Sequence, residues 1–211
     1  MIDTSVTHHQ GDRARRIMTV AAQLFHAQGY EAVSLRQIAQ LSGISSGSLY
    51  YHIESKQSLL ADITDEALSR LVHASSTADM TQRTPDQRLA VLVRIFMSHV
   101  QQDRLALGLA FREVGRLTDL QRAEIEQLHQ RYRVLLGLAI SARCGMEVNH
   151  PRLNQITGSI LAVLKSHLYD EAWLVEEEAG ALLCGVVDAL VQGLDCRTPC
   201  MVGGQQMARI D

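Results

Sequence analysis

The residues best placed to do chemistry lie between positions 34 and 56: Ser34, Arg36, Ser45, Ser46, Gly47, Ser48, Tyr50, Tyr51, His52 and Lys56. Their hydroxyls, guanidinium, phenols, imidazole and ammonium are hydrogen-bond donors, and Gly47 has no side chain. Such a set suits phosphate oxygens, which fix register, and a close approach of backbone to base edges, which reads sequence. Nothing comparable points to catalysis. Glu113, His129, Asp170 and Glu171 are scattered, with no nucleophile elbow, phosphate loop or His-x-x-x-His pair, so no enzyme is expected. Cys144 and Cys184 fall in helical patterns and read as small buried hydrophobes. Cys196 and Cys200 form a C-x3-C pair, which is not a standard zinc or redox spacing. Neither a metal nor a cofactor is expected.

The elements that must position the donor set are two short helices and a tight turn. Ser34 followed by Gln37 is a capping box that opens the first helix, with Leu35, Ile38 and Ala39 inward. Ala39 is small where the helices approach. Gly43 sits where the turn favours positive φ. Ser45 or Ser46 caps the second helix, which runs to about His52, and Ile38, Ile44 and Leu49 lock it onto the first. Two adjacent tyrosines on a seven-residue helix cannot both face one core, so at least one of Tyr50 and Tyr51 is exposed. At least one of Arg13, Arg15 and Arg16 is expected on a phosphate.

These residues resemble a known family. Gly29-Tyr30, Ser34-Leu-Arg-Gln-Ile-Ala39, Gly43-Ile44, Gly47-Ser-Leu-Tyr-Tyr-His-Ile53, Ser55-Lys56 and Leu59-Leu60 are similar to the N-terminal domain of TetR-type transcriptional regulators. The resemblance covers about 45 to 50 residues. Ile53 departs from the family's usual Phe but still fills a core slot. Ser46 stands where many members carry Lys or Arg, which leaves the operator sequence open. The resemblance implies a cytoplasmic, prokaryotic, homodimeric regulator. Such a protein is usually a repressor of double-stranded operator DNA, released by a small-molecule effector. The Tyr-Tyr-His-Ile variant also resembles regulators near fatty-acid or steroid catabolism genes, some of which sense acyl-CoA thioesters.

The rest of the chain reads as helix throughout, giving an all-α protein of about nine helices. One helix starts near Asp12 and carries Ile17, Val20, Ala21, Leu24 and Phe25 on one face, with Gly29 ending it. Ser55 opens a linking helix to about Ala74. Its Leu59 and Ile63 should pack on the DNA-reading unit, and its Leu68 and Leu71 on the larger part. Thr84-Pro85-Asp86-Gln87 starts another helix, carrying Leu89 to Val100. A short helix is expected over about 104–116. Thr118 to Gln121 is a further capping box, Gly145 a stop, and Pro151 lies in a first turn. Glu176 to Glu178 open the last helix.

The domain reading is a DNA-binding unit over 1–55, a ligand-binding and dimerisation unit over 56–196 and a tail over 197–211. The larger unit is poor in aromatic residues and rich in Leu, Val, Ala and Met, which suits an apolar or acyl-type ligand. Phe96, Phe111, Arg112 and Tyr132 are the candidate ligand residues. The family's eighth and ninth helices form a four-helix dimer interface, which here implies Ile160, Leu164, Leu182, Val186 and Leu190. Charge follows the same division. Residues 1–60 hold five Lys or Arg against four Asp or Glu, within a chain of net charge −3. The acidic excess is therefore carried away from the phosphates. No apolar run approaches the roughly 18 residues of a membrane span.

Overall fold

A computed structural model describes the backbone of residues 4–169 and 179–193. Side-chain surroundings are described for 12–51, 53–169 and 184–191. The order is α1 (Thr4–Gln28), α2 (Leu35–Leu41), α3 (Ser46–His52), α4 (Lys56–Thr77), α5 (Pro85–Arg112), a 3-10 turn (Val114–Arg116), α6 (Asp119–Cys144), α7 (Pro151–Ser166) and α8 (Ala179–Gly193). Among the described residues there is no strand.

Local rules account for the N-terminal unit. The face of α1 expected to be inward is buried at Ile17, Ala21, Leu24 and Phe25. The helix begins earlier than the apolar periodicity does, at Thr4. Gly29 ends it at φ 82°, and its N–H donates to the Phe25 carbonyl at 3.1 Å. The Ser34 side chain accepts from the Gln37 N–H at the start of α2. The reciprocal half of that box is absent, because the Gln37 amide donates to Gln28 Oε1 at 3.1 Å instead. At the end of α2 the Gly43 N–H reaches Gln40 O at 3.1 Å and the Ile44 N–H reaches Ala39 O at 3.0 Å. That pair of bonds is a Schellman motif. It needs a left-handed residue at Gly43, whose φ is 72°. The turn aims the chain back so that Leu49 of the next helix, and Ile53 just past its end, seat in the core with Ile38 and Ala39.

The second unit is a bundle in which α4 packs on α1, α5 and α6, α6 on α7, and α8 on α5 and α7. Capping boxes start α4 (Ser55 with Ser58), α5 (Thr84 with Gln87) and α6 (Thr118 with Gln121). The two expected helices follow each other within α5: the backbone leaves the helix at Asp103, φ −152° and ψ 54°, and a second helical stretch runs on to Arg112. The Asp103 carboxylate there meets Arg70 of α4 at 2.8 Å. Helix ends at Arg112, so the tail of the expected 104–116 helix is the tighter 3-10 turn. The last helix starts at Ala179 in the structure, and Glu176 to Glu178, like 197–211 with Cys196 and Cys200, lie outside the described residues.

Candidate nucleic-acid interface and effector region

Among the described residues of α3, Leu49 is the one that is buried. Leu49 is fully buried, while Tyr50 is 61% and Tyr51 82% exposed. Both tyrosines therefore face solvent, one more than the counting argument required. Ser45 Oγ accepts from the Ser48 N–H at 3.1 Å, which leaves the hydroxyl proton free to donate outward. Gly47 is exposed. A Cβ built there would meet only Ser45 Oγ, at 4.0 Å. Internal packing therefore does not require a glycine at 47, and an outside surface that comes close to the backbone would. Ser34, Arg36 and Ser45 are exposed, and Ser46 and Ser48 are half-buried at the same end. Arg13, Arg15 and Arg16 are exposed on α1. The side-chain surroundings of His52 lie outside the described residues.

Lys56 requires a correction. Its ammonium does not reach outward for phosphate. It donates to the carbonyls of Tyr30 at 2.9 Å, Glu31 at 3.3 Å and Val33 at 3.0 Å and lies 4.4 Å from the Tyr30 ring centroid. All three N–H donors are in use. The side chain clamps the α1–α2 connection to the first turn of α4, with a cation–π contact added. Those acceptors lie 23 to 26 residues earlier in the chain, so no local pattern announces them.

The expected ligand residues do not form one site. Phe96 and Tyr132 have essentially no accessible surface; their rings stack at 6.0 Å and belong to the closed core. Tyr132 Oη is buried with no hydrogen-bond partner, and burial raises its phenol well above the ordinary value. Arg112 turns to Glu113, Nε to Oε1 at 2.9 Å. Phe111 borders a cleft of about 430 Å³ that it shares with Val114, His129, Arg133, Leu161 and Lys165. His129 stacks on Phe111 at 4.6 Å. Desolvation, then the nearby Lys165 charge, push its pKa down to about 4, while a hydrogen bond to the Ala110 carbonyl opposes them. The ring is therefore neutral near pH 7.

Ile160 and Leu164 also need correction as interface residues. Both have no accessible surface within the single chain, so a partner has nothing there to cover. Val186 is 40% exposed, Leu190 is half-buried, and Leu182 lies outside the described side chains. The exposed faces are built from small residues: Ser159, Ala162 and Ser166 on α7, and Gly185, Val186 and Ala189 on α8.

A link between the two units had no signal in the sequence. Arg116, at the end of the 3-10 turn, meets Glu31 of the α1–α2 connection at 2.6 Å. The Gln57 amide of α4 donates to the Arg116 carbonyl at 2.6 Å. Among the described residues no group of His, Cys, Asp and Glu is arranged to hold a metal. No helix among them is long and apolar enough to cross a membrane.

A helix-turn-helix with its second helix bared, joined by a long helix to a helical bundle, defines a DNA-binding regulator with a separate second domain. Residues 17–63 match the family model described as bacterial regulatory proteins, tetR family. The HTH-type transcriptional repressor Rv3405c of Mycobacterium tuberculosis (strain ATCC 25618 / H37Rv) is 28% identical over 148 residues, 69% of this chain and 77% of the relative. A regulatory protein of the tetR family from Rhodococcus RHA1 superposes with TM-score 0.76 at 21% identity, covering 88% of this chain and 98% of the other. AibR, solved with isovaleryl coenzyme A and operator DNA, superposes with TM-score 0.67 at 21% identity over 87% and 98% of the two chains. Over residues 17–63 the chain matches the tetR family, and its fold is shared with solved regulators of that family. The relatives it matches are named as transcriptional regulators.

Proposed function

We propose that the protein is a dimeric repressor that grips a near-palindromic operator with two copies of α3 and lets go when a small effector binds the bundle. The observation that carries this is α3 itself. Leu49 anchors it, Gly47 leaves its N-terminal end bare, and Tyr50 and Tyr51 stand in solvent toward its C-terminal end. In this reading Ser45, Ser46, Gly47 and Ser48 face base edges, and Ser34, Arg36, Tyr50, Tyr51 and His52 hold phosphates. The small exposed residues of α7 and α8 let two copies approach closely and form a four-helix interface, with Val186 in it. Such a protein works where the chromosome is, in the cytoplasm. The acyl thioester bound by AibR supports an effector with an acyl or otherwise apolar body here too.

The test selects a duplex from a random library with the purified full chain and measures its affinity by fluorescence anisotropy. The expected site is a near-palindrome with half-site centres about 34–36 Å apart, one helical turn. Light scattering should report a dimer at micromolar concentration. A monomer, or a selected site without symmetry, would overturn the dimeric reading. No selection above random duplex would overturn DNA binding.

A further inference from the structure

The chain has two lysines, Lys56 and Lys165, and both lie over an aromatic ring. They differ in what else they touch. Lys56 is saturated by three carbonyls. Lys165 is 4.9 Å from the Phe111 ring centroid and has no hydrogen-bond or ion-pair partner among the described residues. Its ammonium borders the cleft of about 430 Å³, as does Arg133, which has one N–H committed to the Asn154 carbonyl at 3.1 Å. Among the described residues Glu126 is the one acid in that wall, and His129 is neutral, so the described lining carries a net positive charge. The remaining surface is Phe111, Val114 and Leu161. The volume lies within the range that holds small ligands, and apolar walls with a few convergent polar groups are their usual lining.

A second observation points to the same place. The His129 ring borders the cleft, and its Nε2 is buried without a hydrogen-bond partner. Buried polar atoms are nearly always paired, and an orphan on the cleft wall calls for an explanation.

We propose that this cleft binds a small organic anion. The charged group rests between Lys165 and Arg133, and a compact apolar body lies against Phe111, Val114 and Leu161. The proposal rests on the effector-controlled reading above and names the chemistry of the effector. Occupancy also has a route to DNA. Phe111 and Val114 form the wall, and two residues beyond Val114, Arg116 holds both Glu31 and Gln57. A wall displaced by ligand pulls on the same connection that Lys56 clamps.

The experiment titrates the full chain calorimetrically with 1-naphthoate, 1-naphthyl phosphate and neutral 1-naphthamide, which share one apolar body. The expected result is binding of at least one anion roughly tenfold or more tighter than the amide, about 1.4 kcal/mol. The tighter anion identifies carboxylate or phosphate as the preferred group. Lys165→Met should bring anion and amide together. Lys165→Arg should keep the preference, and Arg131→Met, on an exposed face of α6, should leave it unchanged. Equal affinity for anions and amide, a preference that survives Lys165→Met, or no binding of any probe at millimolar concentration would overturn the site. Operator anisotropy run in parallel separates the two readings. Loss of the site with operator binding intact removes the cleft proposal alone. An anion that binds the cleft without weakening operator affinity supports the site and overturns its route to DNA.

Discussion

Lys56→Met separates two roles that a lysine at the head of α4 can play. In the structure its ammonium makes two good hydrogen bonds, 2.9 and 3.0 Å, a longer one at 3.3 Å, and a ring contact at 4.4 Å. Hydrogen bonds from a charged donor contribute about 1.5–3 kcal/mol each, and less here because the group is partly solvated. Releasing the long side chain returns about 2 kcal/mol of rotamer entropy. Methionine keeps the stem's packing. The net expectation is a loss of about 2–3 kcal/mol, or roughly 4–12 °C in Tm for a chain of this size. Operator affinity should also fall, because the α1–α2 connection that supports α3 loosens. The slope of log affinity against log salt should nevertheless stay the same, since no phosphate contact is removed. The assay pairs thermal unfolding with operator anisotropy at several salt concentrations. A slope reduced by about 0.9 with an unchanged Tm would refute the reasoning and return Lys56 to the phosphates.

Gly47→Glu should leave stability and dimerisation intact, since a Cβ at 47 meets only Ser45 Oγ at 4.0 Å. It should cost operator affinity about 100-fold or more, through like-charge repulsion in the groove; full affinity in anisotropy would mean that another element reads DNA. Tyr132→Phe deletes an unmatched buried hydroxyl and should change the ligand-free stability by no more than about 1 kcal/mol in either direction. A urea midpoint showing a larger loss would mean the hydroxyl has a partner. His129 has a folded pKa of about 4 against 6.5 for the free side chain, so the unfolded state takes up its proton first. The stability this neutral ring contributes is present above pH 6.5 and lost as pH falls toward 4, with a ceiling of about 3 kcal/mol. Partial solvation reduces it to about 2 kcal/mol. Denaturation from pH 7 to 4 should show that loss in the wild type and not in His129→Gln, and parallel curves would remove His129 as its source.

The helix-turn-helix was legible in the sequence because every determinant acts within a few residues. Ser34, Ser45, Thr84 and Thr118 each cap an N–H three residues ahead. Gly43 supplies the one left-handed residue the turn needs, and the period of Leu49 and Ile53 places α3 on α2. The exposed face of α3 follows once its buried face is known. The packing of the second unit was not legible, because an apolar stripe says that a face is buried and not what buries it. Ile160 and Leu164 close their own protomer's core instead of offering a face to another copy, and Phe96 and Tyr132 fill on each other the space expected for a ligand. Long side chains were harder still. Lys56 finds carbonyls more than 20 residues earlier, and Arg116 finds Glu31 across 85 residues. The cleft exists only where the end of α5, the middle of α6 and the far end of α7 converge. Contacts of that range depend on where whole helices lie, and only their mutual packing decides that.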